Sequence, residues 1–138
     1  MSCIKNRTKK TSNTSDISIN VKSQIPIGDT VYLPSGLSYK VVKYGFGKTP
    51  KGTSKVRVHY EGTLNDGTVF DSSIQRGKPL EFRLNQVIQG WQEGLLLMKE
   101  GAVYELYIPP KLGYGSQASG KIPPFSHLNF TVELLEVL

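Results

Sequence analysis

The sequence has a single cysteine, Cys3, so no internal disulfide framework is possible. It has no run of about 18 apolar residues, the length that a transmembrane helix needs. Neither His59 nor His127 has a Cys, Asp or Glu at a metal-ligand spacing. No glycine motif for cradling phosphate occurs either. The sequence therefore offers no disulfide scaffold, no membrane-spanning helix and no recognisable metal or nucleotide site.

Positive charge is concentrated near the amino terminus. The 138 residues have a formal net charge of +6, and the first 28 residues contain Asp16 as their one anion beside Lys5, Arg7, Lys9, Lys10 and Lys22. This segment shows no lasting apolar period, and it lacks the apolar core of about 7–15 residues that a secretory signal requires. We therefore predict a flexible basic tail over residues 1–28, a folded domain over residues 29–138 and a cytoplasmic location.

A basic tail can contact nucleic acid or anionic lipid through its charges. Proteins that bind single strands also need aromatic side chains on which the bases stack. Such residues do not accompany the charges of this tail. We therefore expect no nucleic-acid partner.

Alternating apolar residues predict short strands throughout the folded domain. The clearest lies over residues 55–64, where Val56, Val58 and Tyr60 share one face. An Asp66-Gly67 turn then leads into a return strand over residues 68–72. Further strands are predicted over residues 37–44, 80–84, 103–108 and 128–134.

One substantial helix is predicted over residues 87–98. Trp91, Leu95 and Met98 recur at helical spacing and share a face, and Lys99 followed by Gly101 is typical of a helix end. The whole pattern indicates the α+β class, with one helix lying across the apolar face of a mostly antiparallel sheet.

A pocket is the second expectation from the pattern. Trp91, the single tryptophan, can form the floor of an apolar pocket, with Val87 and Ile88 on its rim. Residues 111–127 form a long loop, and such loops inside compact domains are usually functional. No catalytic set of a hydrolase or transferase is present: the turn accounts for Asp66, which leaves Asp71 as a single carboxylate. Each aromatic or aliphatic residue of the expected pocket, apart from Trp91 and Tyr114, could instead belong to an ordinary hydrophobic core.

Several short motifs occur in a fixed order. They are Val-His-Tyr-Glu-Gly (58–62), Asp-Gly-Thr-Val-Phe-Asp-Ser-Ser (66–73), Val-Ile-Gln-Gly-Trp-Gln-Glu-Gly (87–94), Leu-Gly-Tyr-Gly (112–115), Ile-Pro-Pro (122–124) and Phe-Thr-Val-Glu-Leu-Leu (130–135). In this order they closely resemble the FKBP-type peptidyl-prolyl isomerases, the immunophilins that bind tacrolimus and rapamycin. The resemblance covers about residues 30–138. Residues 33–41 are most similar to the bacterial macrophage-infectivity-potentiator branch, but that branch's dimerisation helix is absent, so we expect a monomer.

The resemblance implies a five- to six-stranded antiparallel sheet wrapped round one short helix, and a rotamase that needs no metal or cofactor. Its substrates would be proline-containing proteins or peptides, and its ligands macrolides of the tacrolimus and rapamycin type. The implied binding residues are Tyr60, Phe70, Leu80, Phe82, Val87, Trp91, Ile122 and Phe130.

The resemblance also assigns three catalytic contacts. The Ile88 N–H, near the start of the helix, would hold a substrate carbonyl, and the Tyr114 hydroxyl would hold another polar group. Asp71 would supply a fixed charge near the twisting carbonyl. A chaperone or docking module that uses the same pocket without turnover is the alternative, although Asp71, Trp91 and Tyr114 together favour the enzyme.

Two positions depart from the family pattern. Leu80 stands where many members carry Phe on the pocket wall. Lys121 precedes Ile122 where human-type members have a second apolar residue, and the loop is about one residue short. We expect the pocket to survive both departures, and we expect them to change its outer rim and therefore its substrate preference.

Overall fold

The computed structural model describes residues 25–138, and seven antiparallel strands form one sheet there. The strands are β1 (Thr30–Tyr32), β2 (Ser38–Lys43), β3 (Lys55–Leu64), β4 (Val69–Ser72), β5 (Leu80–Arg83), β6 (Val103–Ile108) and β7 (Leu128–Val137). The same residues contain two α-helices, α1 (Ser73–Arg76) and α2 (Gln89–Leu95), and two 3₁₀ helices, Leu84–Gln86 and Pro110–Leu112. No helix in this part of the chain is long and apolar enough to cross a bilayer.

The strands follow the order β1-β2-β6-β7-β3-β4, and β5 also pairs with β3. On the side of β3 away from β7, β5 pairs with its first residues and β4 with its last. The predicted α+β class is confirmed. The sheet has seven strands rather than five or six, and its edge strand β1 contributes three residues, paired with β2.

Helix α2 lies against β6 because two glycines allow a close approach. A Cβ at Gly90 would lie 2.7 Å from Ile108 side-chain atoms, and a Cβ at Gly94 would lie 2.7 Å from Leu106. Glycine inside a helix costs about 1 kcal/mol relative to alanine. Here the close packing of helix on sheet offsets that cost.

The predicted helix over residues 87–98 is longer than the observed α2. Trp91, Leu95 and Met98 are all buried, so the predicted buried face is confirmed. After Leu95, however, the backbone hydrogen bonds join residues three apart, as in a 3₁₀ helix, instead of four apart. The Met98 N–H, for example, donates to the Leu95 carbonyl at 3.1 Å. Gly101 has a φ of 93° and its N–H bonds to Leu134, so it forms the turn before β6 rather than the helix end.

Helix α1 was not predicted, although its capping residues are present in the sequence. The Ser72 hydroxyl accepts a hydrogen bond from the Gln75 N–H at 3.2 Å, and Gly77 ends the helix in the left-handed conformation. A serine followed five residues later by glycine is the local signal for this single turn.

The predicted tail lies mostly outside the described residues, which begin at Ile25. Ile25 and Gly28, within its last four residues, already contact the domain. The Tyr44 hydroxyl donates to the Ile25 carbonyl at 2.6 Å, and the Gly28 N–H donates to the Val41 carbonyl at 3.0 Å. The part of the chain that contacts the sheet therefore begins at Ile25 or earlier.

Candidate active site

A cavity of about 460 Å³ opens between the start of α2, the sheet and the loop that follows β6. Its lining consists of Tyr60, Phe70, Asp71, Leu80, Gln86, Val87, Ile88, Trp91, Tyr114, Ser119, Gly120, Lys121, Ile122 and Phe130. All of the predicted site residues except Phe82 are in this set.

Aromatic rings packed edge to face form the floor and one wall of the cavity. The ring centroids of Tyr60 and Phe130 each lie 5.1 Å from that of Trp91, at interplanar angles of 82° and 85°. The rings of Phe70 and Phe130 also pack edge to face, with centroids 5.4 Å apart. Such pairs are favourable and fix the orientation of the rings. Trp91, only 5% exposed, lines the bottom of the cavity beneath these rings.

Gly62 makes the aromatic wall possible. It pairs with Asp71 of β4 on one side and with Phe130 of β7 on the other. A Cβ at this position would lie 2.6 Å from ring atoms of both Phe70 and Phe130. Any side chain here would therefore push the two rings out of place.

The expectation that Phe82 lines the pocket is wrong. Phe82 packs on Trp91 with ring centroids 5.4 Å apart, but Leu80 occupies the cavity wall. The reason is the strand register: Leu80 lies opposite Val58, next to the site, whereas Phe82 lies opposite Val56, one side-chain repeat further away. Phe82 therefore supports Trp91 from outside the cavity.

The polar side of the cavity is a network of three side chains. The Tyr60 hydroxyl donates to Asp71 Oδ2 at 2.5 Å, and Arg76 forms an ion pair with Oδ1 of the same carboxylate. Arg76 also donates to the Tyr60 oxygen at 3.1 Å, and its guanidinium carbon lies 5.7 Å from the centroid of the Tyr60 ring. Burial, followed by the hydrogen bond to Asp71, raises the pKa of Tyr60, so its hydroxyl remains a donor.

The sequence pattern predicts Arg76 in a loop and indicates no role for it. Its position at the last residue of α1 brings it back over Asp71, five residues earlier. The buried Ser73 anchors this turn, because its hydroxyl accepts from the Tyr60 N–H at 2.8 Å and lies 2.8 Å from His59 Nδ1. The carboxylate of Asp71 is thus fixed in position, and its charge is largely offset.

Ile88 precedes the first residue of α2, and its carbonyl accepts from the N–H groups of Trp91 and Gln92 at 3.1 Å each. Within residues 25–138 its own N–H has no hydrogen-bond acceptor. The neighbouring Val87 carbonyl accepts from the Gln92 side chain at 2.7 Å. The backbone beside the cavity floor is therefore fixed, with one N–H free to bind a ligand.

The loop after β6 lines one side of the mouth with Tyr114, Ser119, Gly120, Lys121 and Ile122. Tyr114 is 41% exposed, and its hydroxyl has no hydrogen-bond partner within the described part of the chain. The loop is held by bonds from the Gly115 N–H to Pro110 and from the Phe125 N–H to Gly115, each 2.8 Å long. Ile122, only 5% exposed, anchors its inner edge.

Comparison with known proteins identifies this arrangement. Residues 47–135 match the FKBP_C family, described as FKBP-type peptidyl-prolyl cis-trans isomerase. The chain belongs to this family. The family predicted from the ordered motifs is therefore confirmed.

Relatives and solved structures agree with that assignment. The chain is 56% identical over 105 residues to the FKBP-type 22 kDa peptidyl-prolyl cis-trans isomerase of Escherichia coli. The aligned region covers 75% of this chain and 51% of that protein. It is also 52% identical over 106 residues to the peptidyl-prolyl cis-trans isomerase Mip of Coxiella burnetii. That alignment covers 76% of this chain and 46% of the relative. The crystal structure of FkpA from Escherichia coli superposes with a TM-score of 0.77 at 45% identity, covering 88% of this chain and 55% of that one.

A further structural neighbour is matched over almost its whole length. The crystal structure of AtFKBP13 has a TM-score of 0.76 at 37% identity and is covered over 99% of its length, against 80% of this chain. By contrast, the chain spans about half the length of the first curated relatives it matches.

Proposed function

We propose that the protein is a peptidyl-prolyl cis–trans isomerase that accelerates rotation about X–Pro bonds in proteins and peptides without a covalent intermediate. The observation that carries the proposal is the aromatic cavity floored by Trp91, with Asp71, the Ile88 N–H and the Tyr114 hydroxyl at its edge. Membership of the family supports it.

The chemistry needed is modest because no bond of the substrate is broken. Rotation about a peptide bond has a barrier of about 18–20 kcal/mol, which arises from the double-bond character of C–N. For X–Pro the two isomers differ by only about 0.5–1 kcal/mol, so both are populated and exchange slowly. The twisted transition state loses resonance and therefore has less charge separation than the planar amide. An apolar cavity favours that state relative to water.

The proline ring would stack on Trp91 between the aromatic walls formed by Tyr60 and Phe130. The free Ile88 N–H would hold the substrate backbone through one carbonyl, and the Tyr114 hydroxyl would hold a second polar group. Asp71, fixed by Tyr60 and Arg76, would place a constant electrostatic contact beside the twisting carbonyl. These contacts hold the amide while the apolar surroundings lower the barrier.

The same cavity would bind macrolides of the tacrolimus and rapamycin type, as the resemblance to the family implies. Leu80 provides less contact on the wall than an aromatic residue would, so the affinity should be reduced rather than lost. The monomeric state and the cytoplasmic location stay predictions from the sequence.

The test is an assay in which cis–trans exchange of an Xaa-Pro peptide limits the signal, run with and without rapamycin. We expect catalysed exchange that rapamycin inhibits. Phe46→Ala is a control for the loss of an aromatic side chain away from the cavity, because Phe46 is 80% exposed and does not line it. This variant should leave the rate unchanged. Rapamycin binding without any acceleration would instead support a docking module that uses the cavity without turnover.

A further inference from the structure

The charges around the cavity do not balance. Among the described residues that line it, Asp71 and Lys121 are charged. The Asp71 carboxylate is paired with Arg76 and accepts from the Tyr60 hydroxyl. Lys121 is exposed and forms no ion pair within residues 25–138. A substrate in the cavity therefore meets a surplus positive charge at the mouth.

A tight turn fixes the backbone of Lys121. The N–H groups of Ser119 and Ile122 each donate to the other residue's carbonyl, at 2.9 and 2.8 Å. Gly120, the first central residue, has a φ of 54°, as the first position of a type II′ turn requires. Lys121 is the second central residue, and the buried Ile122 ties the turn to the cavity wall. The ammonium group is thus tethered beside the site instead of lying on a loose segment.

The rim next to Leu80 carries a second cation, Lys78. A shallow surface next to the cavity shares Leu80 with it and is also lined by Arg76, Lys78, Pro79 and Glu81. Arg76 is paired with Asp71. Glu81 shares Arg57 with Glu136, at 2.7 and 2.6 Å, and Lys78 adds to the effect of Arg57 in lowering the pKa of Glu81. Glu81 therefore offsets part of the charge of Lys78, which leaves Lys121 as the cation at the mouth for a substrate carboxylate.

We propose that Lys121 selects substrates, so that the enzyme prefers X–Pro bonds with an Asp or Glu side chain next to the proline. The proposal rests on the proposed isomerase function and names its substrate class. With proline seated on Trp91, the flanking residues of an extended peptide lie across the mouth, where Lys121 attracts a carboxylate. An exposed ion pair of this kind changes affinity by about two- to fivefold. Salt screens it within a Debye length of about 10 Å at 0.1 M ionic strength.

The test compares peptides that differ only by Glu, Gln or Lys at one position beside proline, before it in one series and after it in the other. The measured quantity is the ratio of kcat/KM for the Glu peptide to that for the Gln peptide. We expect about two- to fivefold in at least one series at low salt, falling towards one at high salt. Lys121→Gln should bring the ratio close to one, and Lys121→Glu should reverse it in favour of the Lys peptide.

Lys111→Gln is the matched control, because Lys111 lies on the same loop but outside the cavity lining. It should keep the preference of the unmodified protein. A Glu-to-Gln peptide ratio that is the same in the unmodified protein and in the Lys121→Gln variant would overturn the proposal, while turnover of the Gln peptide would leave the isomerase function standing. Absence of turnover for every peptide would overturn the isomerase function, and the selectivity with it.

Discussion

The Tyr60 hydroxyl donates a 2.5 Å hydrogen bond to Asp71 Oδ2, which joins the aromatic floor of the cavity to its polar edge. Tyr60 also packs against Trp91 with ring centroids 5.1 Å apart. A change at the carboxylate therefore acts on the floor through one hydrogen bond, whereas a change at Trp91 removes the floor itself. Substitutions at Asp71 therefore test how much the charge contributes to catalysis, and substitutions at Trp91 test how much the shape of the cavity contributes.

Removing the charge of Asp71 should weaken catalysis without abolishing it. Asp71→Asn keeps the shape of the side chain, and Tyr114→Phe removes one hydrogen-bonding group, worth on the order of 1 kcal/mol. Both variants should retain measurable kcat/KM on one Xaa-Pro peptide after a check of folding. If Asp71→Asn had no turnover but still bound rapamycin, the carboxylate would be an essential catalytic group and desolvation would not explain the rate.

Truncating Trp91 should cost far more. Trp91→Ala leaves a cavity under the substrate and removes three aromatic contacts, and such changes typically cost about 3–5 kcal/mol of stability. We expect a lower midpoint in denaturant and loss of most turnover. Phe82→Ala should cost stability as well, but less activity, because Phe82 supports Trp91 from outside the cavity. Equal activity losses for the two variants would contradict this difference.

Filling the rim should tighten macrolide binding. Leu80→Phe combined with Lys121→Ile adds aromatic and aliphatic contact at the two positions that depart from the family pattern. The double variant should bind rapamycin more tightly than the unmodified protein in a titration. Equal or weaker binding would show that contact at the rim does not limit affinity.

Deleting residues 1–24 should leave the melting temperature and the peptide activity essentially unchanged, because that segment shows no lasting apolar period. Deleting residues 1–28 should lower the melting temperature. The longer deletion removes the Ile25 carbonyl that accepts from Tyr44 and the Gly28 N–H that bonds to Val41. A large effect of the shorter deletion would show that the tail packs on the domain.

Glu100 should contribute to the loss of stability in acid. Its carboxylate accepts from the Val137 N–H at 2.7 Å and from the Lys48 N–H at 3.2 Å, and these bonds lower its pKa below the ordinary 4.5. A lowered pKa gives stability above pH 4.5 that disappears as the pH falls through the value in the folded state. Glu100→Gln should therefore reduce stability at neutral pH and make it less dependent on pH in the acid range. Denaturant midpoints at several pH values measure both effects.

The local patterns of the sequence determined which faces are buried. Alternation placed Val56, Val58 and Tyr60 inward, and helical spacing placed Trp91 and Leu95 on one buried face. These patterns can be read from neighbouring residues because strands and helices repeat at fixed periods. The ordered motifs added the identity of most cavity residues.

Tertiary structure decided the features that depend on distant partners. Whether Leu80 or Phe82 meets the cavity depends on the pairing of β5 with β3, since both alternate identically along their own strand. Arg76 became part of the site only when α1 carried it back over Asp71. Gly62 and Gly90 have roles that appear only against the side chains packed on them. A period records which side of an element is apolar, but the register and the packing distance come from the partner element, which lies elsewhere in the chain.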